Sequence, residues 1–118
     1  MLVYGHGTGG SYRSALADFP SLAASAAILS IDLPQHGSRR AGSTLGPDEL
    51  FFNFSNPGAA LGNVLQGSAD LLSLVRWAST TSLPANSDTG RAVRFDPTRI
   101  ALFGHSQGAT HASLLVPY

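Results

Sequence analysis

The chain contains no cysteine and no lysine among its 118 residues. Without cysteine there is no disulfide, no thiolate nucleophile and no thiolate metal site, although the compartment stays open. Without lysine, all side-chain positive charge rests on seven arginines, which seven acids balance to a formal net charge of zero. Charges so scattered form no basic stripe for nucleic acid and no polybasic membrane anchor. No apolar run approaches the roughly 20 residues that a membrane-crossing helix needs. The four histidines lack the H-E-x-x-H spacing of a zinc site, and Gly7-Thr8-Gly9-Gly10 lacks the spacing and the lysine of a phosphate loop. No metal and no cofactor are therefore expected, and the expected partner is a small, uncharged or apolar molecule.

Glycine, by contrast, is plentiful, with thirteen residues, and it gathers in two motifs. Gly104-His105-Ser106-Gln107-Gly108 fits G-x-S-x-G, the elbow that presents a serine on a sharp strand-to-helix turn. Its flanks suit it: Arg99 to Phe103 reads as a buried strand, and Ala109 to Val116 as a helix. A serine held on so tight a bend exposes its hydroxyl, while the residues two before and two after it lack room for side chains. Gly104 and Gly108 occupy those two places.

The second motif follows a strand ending at Leu2-Val3-Tyr4. Gly5-His6-Gly7-Thr8-Gly9-Gly10 resembles the His-Gly-rich oxyanion loop of lipases and esterases in the α/β-hydrolase superfamily. Ile28 to Gly37, with Asp32-Leu33-Pro34-Gln35-His36, is similar to the strand and loop lying between oxyanion loop and elbow in that superfamily. The resemblance spans nearly the whole chain and implies an α/β fold. It implies a partial α/β-hydrolase sheet of about three parallel strands, the first between the second and third, with crossover helices on both faces. Residues 1–118 are expected to form a single domain, incomplete because the sequence opens on a core-like strand without a signal peptide and stops soon after the elbow helix.

Between the motifs, a helix is expected over Ser11 to about Ala24, interrupted by Pro20, and a strand over Ala26 to Asp32. Leu33 to about Pro57 reads as irregular, with Arg39-Arg40 a solvated pair. The aromatic cluster Phe51-Phe52-Asn53-Phe54 suits either a pocket wall or lid, or packing beneath the loop. Leu61, Val64, Leu65, Ala69, Leu72 and Val75 recur at helical spacing and define the apolar stripe of a second crossover helix ending near Trp77. Gln66 and Asp70 lie four apart on it and can pair. Thr80 to Gly90 reads as a polar loop.

The resemblance also implies roles. Ser106 is the nucleophile of an ester hydrolase working through an acyl-enzyme, on a small-molecule ester with an apolar acyl group. The amides of Gln107 and of Thr8, with Gly7 as the fallback, are the oxyanion donors. The superfamily order places an acid and then a histidine after the nucleophile, and here the chain departs from it. After Ser106 comes His111 but no Asp or Glu, and His111 lies on the far side of its own helix. His105 occupies the elbow's variable position, His6 is expected to hold the oxyanion loop, and His36 sits in a turn. Asp32 precedes the nucleophile, so triad acid and base are left unassigned. The other readings open at this point are a peptidase or thioesterase on the same scaffold and a non-catalytic binding module derived from a hydrolase.

Overall fold

Leu2-Val3-Tyr4-Gly5 is buried along its whole length, which a strand tolerates only when both edges and both faces are covered. It is β1 (Leu2–Gly5), the middle strand of a parallel sheet in the order β2-β1-β5, with β2 spanning Ile28–Ser30 and β5 Ala101–Gly104. The register pairs Leu2 with Ile28 on one side and with Ala101 on the other. The computed structural model describes residues 1–118 throughout. The chain is thus mixed α/β around a three-stranded parallel sheet, in the strand order expected. No helix is long and apolar enough to cross a membrane.

Neighbouring strand residues point to opposite faces, and the helices follow. Val3 packs with Leu33, Leu71 and Leu115 in the main apolar cluster, so α4 (Pro57–Thr80) and the end of α5 (Gln107–Ser113) lie on that face. Tyr4 meets Phe19 at 6.0 Å and Phe103 at 5.7 Å between ring centres on the other face. Phe19 joins α1 (Ser14–Asp18) to α2 (Pro20–Ser25), whose first residue is the proline that breaks the expected longer helix.

Three expectations are corrected. The segment from Leu33 to Pro57 is not uniformly irregular: it holds a 3-10 turn at Gly37–Arg40 and a helix, α3 (Pro47–Phe52), started by Pro47 and by a 2.9 Å bond from the Gly46 amide to the Glu49 carboxylate. The expected polar loop from Thr80 to Gly90 holds a short strand, β3 (Ser82–Leu83), which pairs antiparallel with β4 (Val93–Arg94) just beyond it. The buried face of α4 runs through Gly67, Ser68, Leu71 and Ala78, whereas Leu61 and Leu65 are more than half exposed. Small residues win that face because α4 approaches the sheet and α5 closely.

Arg39 is also more than a solvated cation. It bridges Asp70 at 2.7 Å and donates to the Asp32 carbonyl, while Gln66 donates to Asp70 at 2.6 Å as its spacing suggests.

Candidate active site

Ser106 sits between β5 and α5 at φ 53°, ψ −116°, a conformation that costs a residue with a Cβ roughly 1–3 kcal/mol. The glycines around it are sterically required. A Cβ on Gly104 would lie 2.6 Å from Ala109 Cα, and one on Gly108 would overlap the Gly5 carbonyl at the end of β1. Interlocking of β1, β5 and the first turn of α5 therefore holds the bend. Ser106 is exposed, and its hydroxyl makes no cap bond to α5.

The loop after β1 comes directly alongside. A Cβ on Gly7 would lie 3.2 Å from Ser106 Cβ, and the Thr8 hydroxyl donates to the Gln107 side-chain oxygen at 2.9 Å. Neither the backbone N–H of Thr8 nor that of Gln107 donates to any atom of the protein. Thr8, Ser106 and Gln107 form one side of a cleft of about 360 Å³ whose opposite wall is Phe51, Phe52, Leu61 and Val64. Ser106, Thr8, Gln107 and Gly7 are thus brought together. The aromatic cluster divides between its two expected jobs, with Phe51 buried against His111, Phe52 half-exposed on the cleft wall and Phe54 in solvent.

Three bonds staple the glycine-rich loop to the segment after β2. The Leu33 amide donates to His6 Nε2 at 3.0 Å, the Gly9 amide to His36 Nε2 at 3.0 Å, and the Tyr12 amide to Asp32 Oδ1 at 2.9 Å. His6 thus holds the loop, as expected. Neither imidazole has a nitrogen to spare, because His6 Nδ1 donates to the Gly7 carbonyl and His36 Nδ1 to the Pro34 carbonyl.

His111 is equally committed. Completely buried, it donates from Nδ1 to the Val64 carbonyl at 3.0 Å and accepts a long 3.4 Å contact at Nε2 from the Gln107 amide group. Gly67 leaves the hollow for its ring, since a Cβ there would come within 2.6 Å of Nδ1. His105 is exposed, edge-on to Phe19 at 5.5 Å, and lines no part of the cleft. No imidazole bonds to Ser106.

Burial pushes His6 and His111 below the ordinary histidine range, against the opposing pull of the Gly7 and Val64 carbonyls respectively. Folding therefore excludes protons that the unfolded chain takes up below about pH 6.5. The melting temperature is expected to be level above pH 7 and to fall between pH 6.5 and 5, before the carboxylates titrate. Calorimetry across that window checks this, and a flat profile contradicts it.

A larger and more open groove of about 590 Å³ lies between Tyr12, Asp32, Arg39, Asp70 and Trp77. There Arg39 pairs with Asp70 and the Asp32 carboxylate accepts from the Tyr12 amide, and no serine in the groove stands on a strained bend, whereas the smaller cleft holds Ser106. Two of the residues that shape that cleft carry no role in the sequence reading. His36 reads there only as part of a turn, and Asn63 on α4 donates to the Leu50 and Phe51 carbonyls at 3.1 and 2.9 Å, fixing the end of α3. No protein-family model, curated protein or solved structure matches the chain.

Proposed function

We propose that this chain carries the nucleophile, the oxyanion donors and the acyl-binding cleft of a serine ester hydrolase of the α/β-hydrolase type. One observation carries the reading: an exposed serine on a strained bend shares a cleft with two amides that donate to nothing in the protein. Strain of this kind persists where function uses it.

In the proposed reaction Ser106 Oγ adds to the ester carbonyl carbon, and the carbonyl electron pair moves onto oxygen. That oxyanion is met by the Thr8 and Gln107 amides, with the Gly7 amide as fallback; one such donor is worth about 10²–10³ in turnover. The carbonyl then re-forms as the bond from its carbon to the alcohol oxygen breaks, the alcohol leaves with the proton that Ser106 Oγ gave up to water, and a second water hydrolyses the acyl-enzyme, releasing the acid and restoring the serine hydroxyl. A cleft of about 360 Å³ walled by Phe51, Phe52, Leu61 and Val64 is near the small end of ligand sites, about 300–1,000 Å³. It suits a short apolar acyl group.

The triad base and acid have no candidates among the residues around Ser106. Loss of the base from such a triad lowers turnover by about 10⁶, leaving roughly 10³–10⁴ over water. The 118-residue chain alone is therefore expected to turn over very slowly. A second reading, a binding module that keeps the cleft without the chemistry, is favoured by the full engagement of His6, His36 and His111 elsewhere.

The decisive experiment uses the protein isolated from its natural source. After treatment with a fluorophosphonate and digestion, the peptide containing Ser106 is expected to carry the phosphonate, and short-chain p-nitrophenyl esters to be cleaved faster than long-chain esters or an aminopeptidase substrate. An unmodified peptide beside a fully labelled control esterase defeats the enzyme reading in favour of the binding module.

A further inference from the structure

We propose that His36 is a positioning residue: by accepting the Gly9 amide it sets the peptide that follows Thr8, and with it the loop's donor beside Ser106. The inference rests on the proposed function only in the use made of that donor. The loop from Gly5 to Gly10 contains four glycines and has little conformational preference of its own. Gly9 adopts φ 77° with open space around its Cα, so nothing steric holds it. Ordering such a segment costs about 1–2 kcal/mol per residue and needs specific bonds.

Besides the bond from His6 Nδ1 to the Gly7 carbonyl and that from the Thr8 hydroxyl to the Gln107 side chain, two bonds engage backbone amides of the Gly7 to Gly10 turn. One is internal, from the Gly10 amide to the Gly7 carbonyl at 3.0 Å. The other links it to the segment after β2, with the Gly9 amide donating to His36 Nε2 across 27 residues of chain. The His36 ring cannot swivel to give the contact up. Its Nδ1 is committed to the Pro34 carbonyl, which leaves the Nε2 lone pair facing Gly9, and its plane stands edge-on to His6 at 4.7 Å. The backbone is bent to deliver it: Gln35 at φ 65° and Gly37 at φ 52° flank His36 on both sides, and a non-glycine residue such as Gln35 in that region is uncommon. A merely space-filling residue at position 36 would need no acceptor and no such bend.

Two variants and one measurement on the unaltered chain test this. In the wild type, NMR is expected to show a through-hydrogen-bond ¹⁵N–¹⁵N coupling between Gly9 N and His36 Nε2 and slowed exchange of the Gly9 amide. His36→Leu keeps bulk and loses the acceptor, so Gly9 protection is expected to fall about tenfold, the worth of one hydrogen bond. Phosphonylation of Ser106 by excess fluorophosphonate, followed by mass spectrometry, is expected to slow by about 10²–10³ as the Thr8 donor is lost. His36→Gln restores an acceptor and is expected to recover both. The proposal is overturned by Gly9 exchanging at the random-coil rate in the wild type, by protection unchanged in His36→Leu, or by His36→Gln behaving like His36→Leu. If Gly9 responds as expected but no variant is phosphonylated, wild type included, the loop assignment stands and the enzyme reading falls. Should His36→Leu fail to fold, the wild-type coupling decides alone.

Discussion

Alanine at position 108 is expected to abolish cooperative unfolding. A single methyl there overlaps the Gly5 carbonyl carbon and oxygen and comes to 2.9 Å from the His6 carbonyl oxygen. All three are main-chain atoms at the end of the central strand, so no rotamer change relieves the clash. Either β1 loses its register with β5, or α5 withdraws and takes Leu115 and His111 with it. Such damage belongs with the exceptional substitutions, above about 4–5 kcal/mol, against a total that for natural domains is about 5–15 kcal/mol. With only 19 of 118 residues buried, this chain stands at the low end of that span. Circular dichroism melts check the expectation, with Gly62→Ala as control. Gly62 lies within α4, where an added methyl would meet no neighbouring atom, and alanine there is expected to stabilise by about 0.5–1 kcal/mol. A sigmoidal melt of Gly108→Ala at the wild-type temperature refutes the account of the elbow.

Glycine at position 106 is expected to do the reverse, raising stability while eliminating all covalent labelling. The bend at φ 53°, ψ −116° disfavours any Cβ by about 1–3 kcal/mol, and the unfolded-state entropy of glycine returns roughly 0.5–1 of that. A net gain near 1 kcal/mol remains, because the hydroxyl forms no bond whose loss offsets it. Ser106→Ala keeps the Cβ and is expected to lose labelling without the gain. Paired melts and fluorophosphonate mass spectrometry on both variants read the two effects separately. If Ser106→Gly melts below wild type, the backbone there stores no strain and the principal support for a catalytic serine goes with it.

The parts of the molecule legible in the sequence are those whose signal is local. Leu2-Val3-Tyr4 is a continuous apolar run ending in glycine, and Ala101-Leu102-Phe103 another, so β1 and β5 declare themselves. The elbow is five adjacent residues. For α3 the signs are present in Pro47, Asp48 and Glu49, but the surrounding Gly, Ser and Asn mask them. β3 and β4, two residues each, carry no period to detect.

What is not legible depends on partners far along the chain. The apolar stripe on α4 departs from its expected course because Gly67 and Ser68 are buried by the close approach of α5, whereas composition favours Leu61 and Leu65 for that face. The task of His36 is a relation between two loops, and no pattern near residue 36 specifies Gly9. The same holds for His111, whose hollow is provided by Gly67 on another helix.

The central place of β1 also dictates an order of events at the ribosome. Leu2 pairs with Ile28, 26 positions along the chain, but its other neighbour, Ala101, lies 99 positions beyond Leu2. At about 5–20 residues per second, the nascent first strand waits roughly 5–20 s with one side open. During that interval its apolar surface is available to holding chaperones or to other newly made copies, and slower translation lengthens the exposure in proportion.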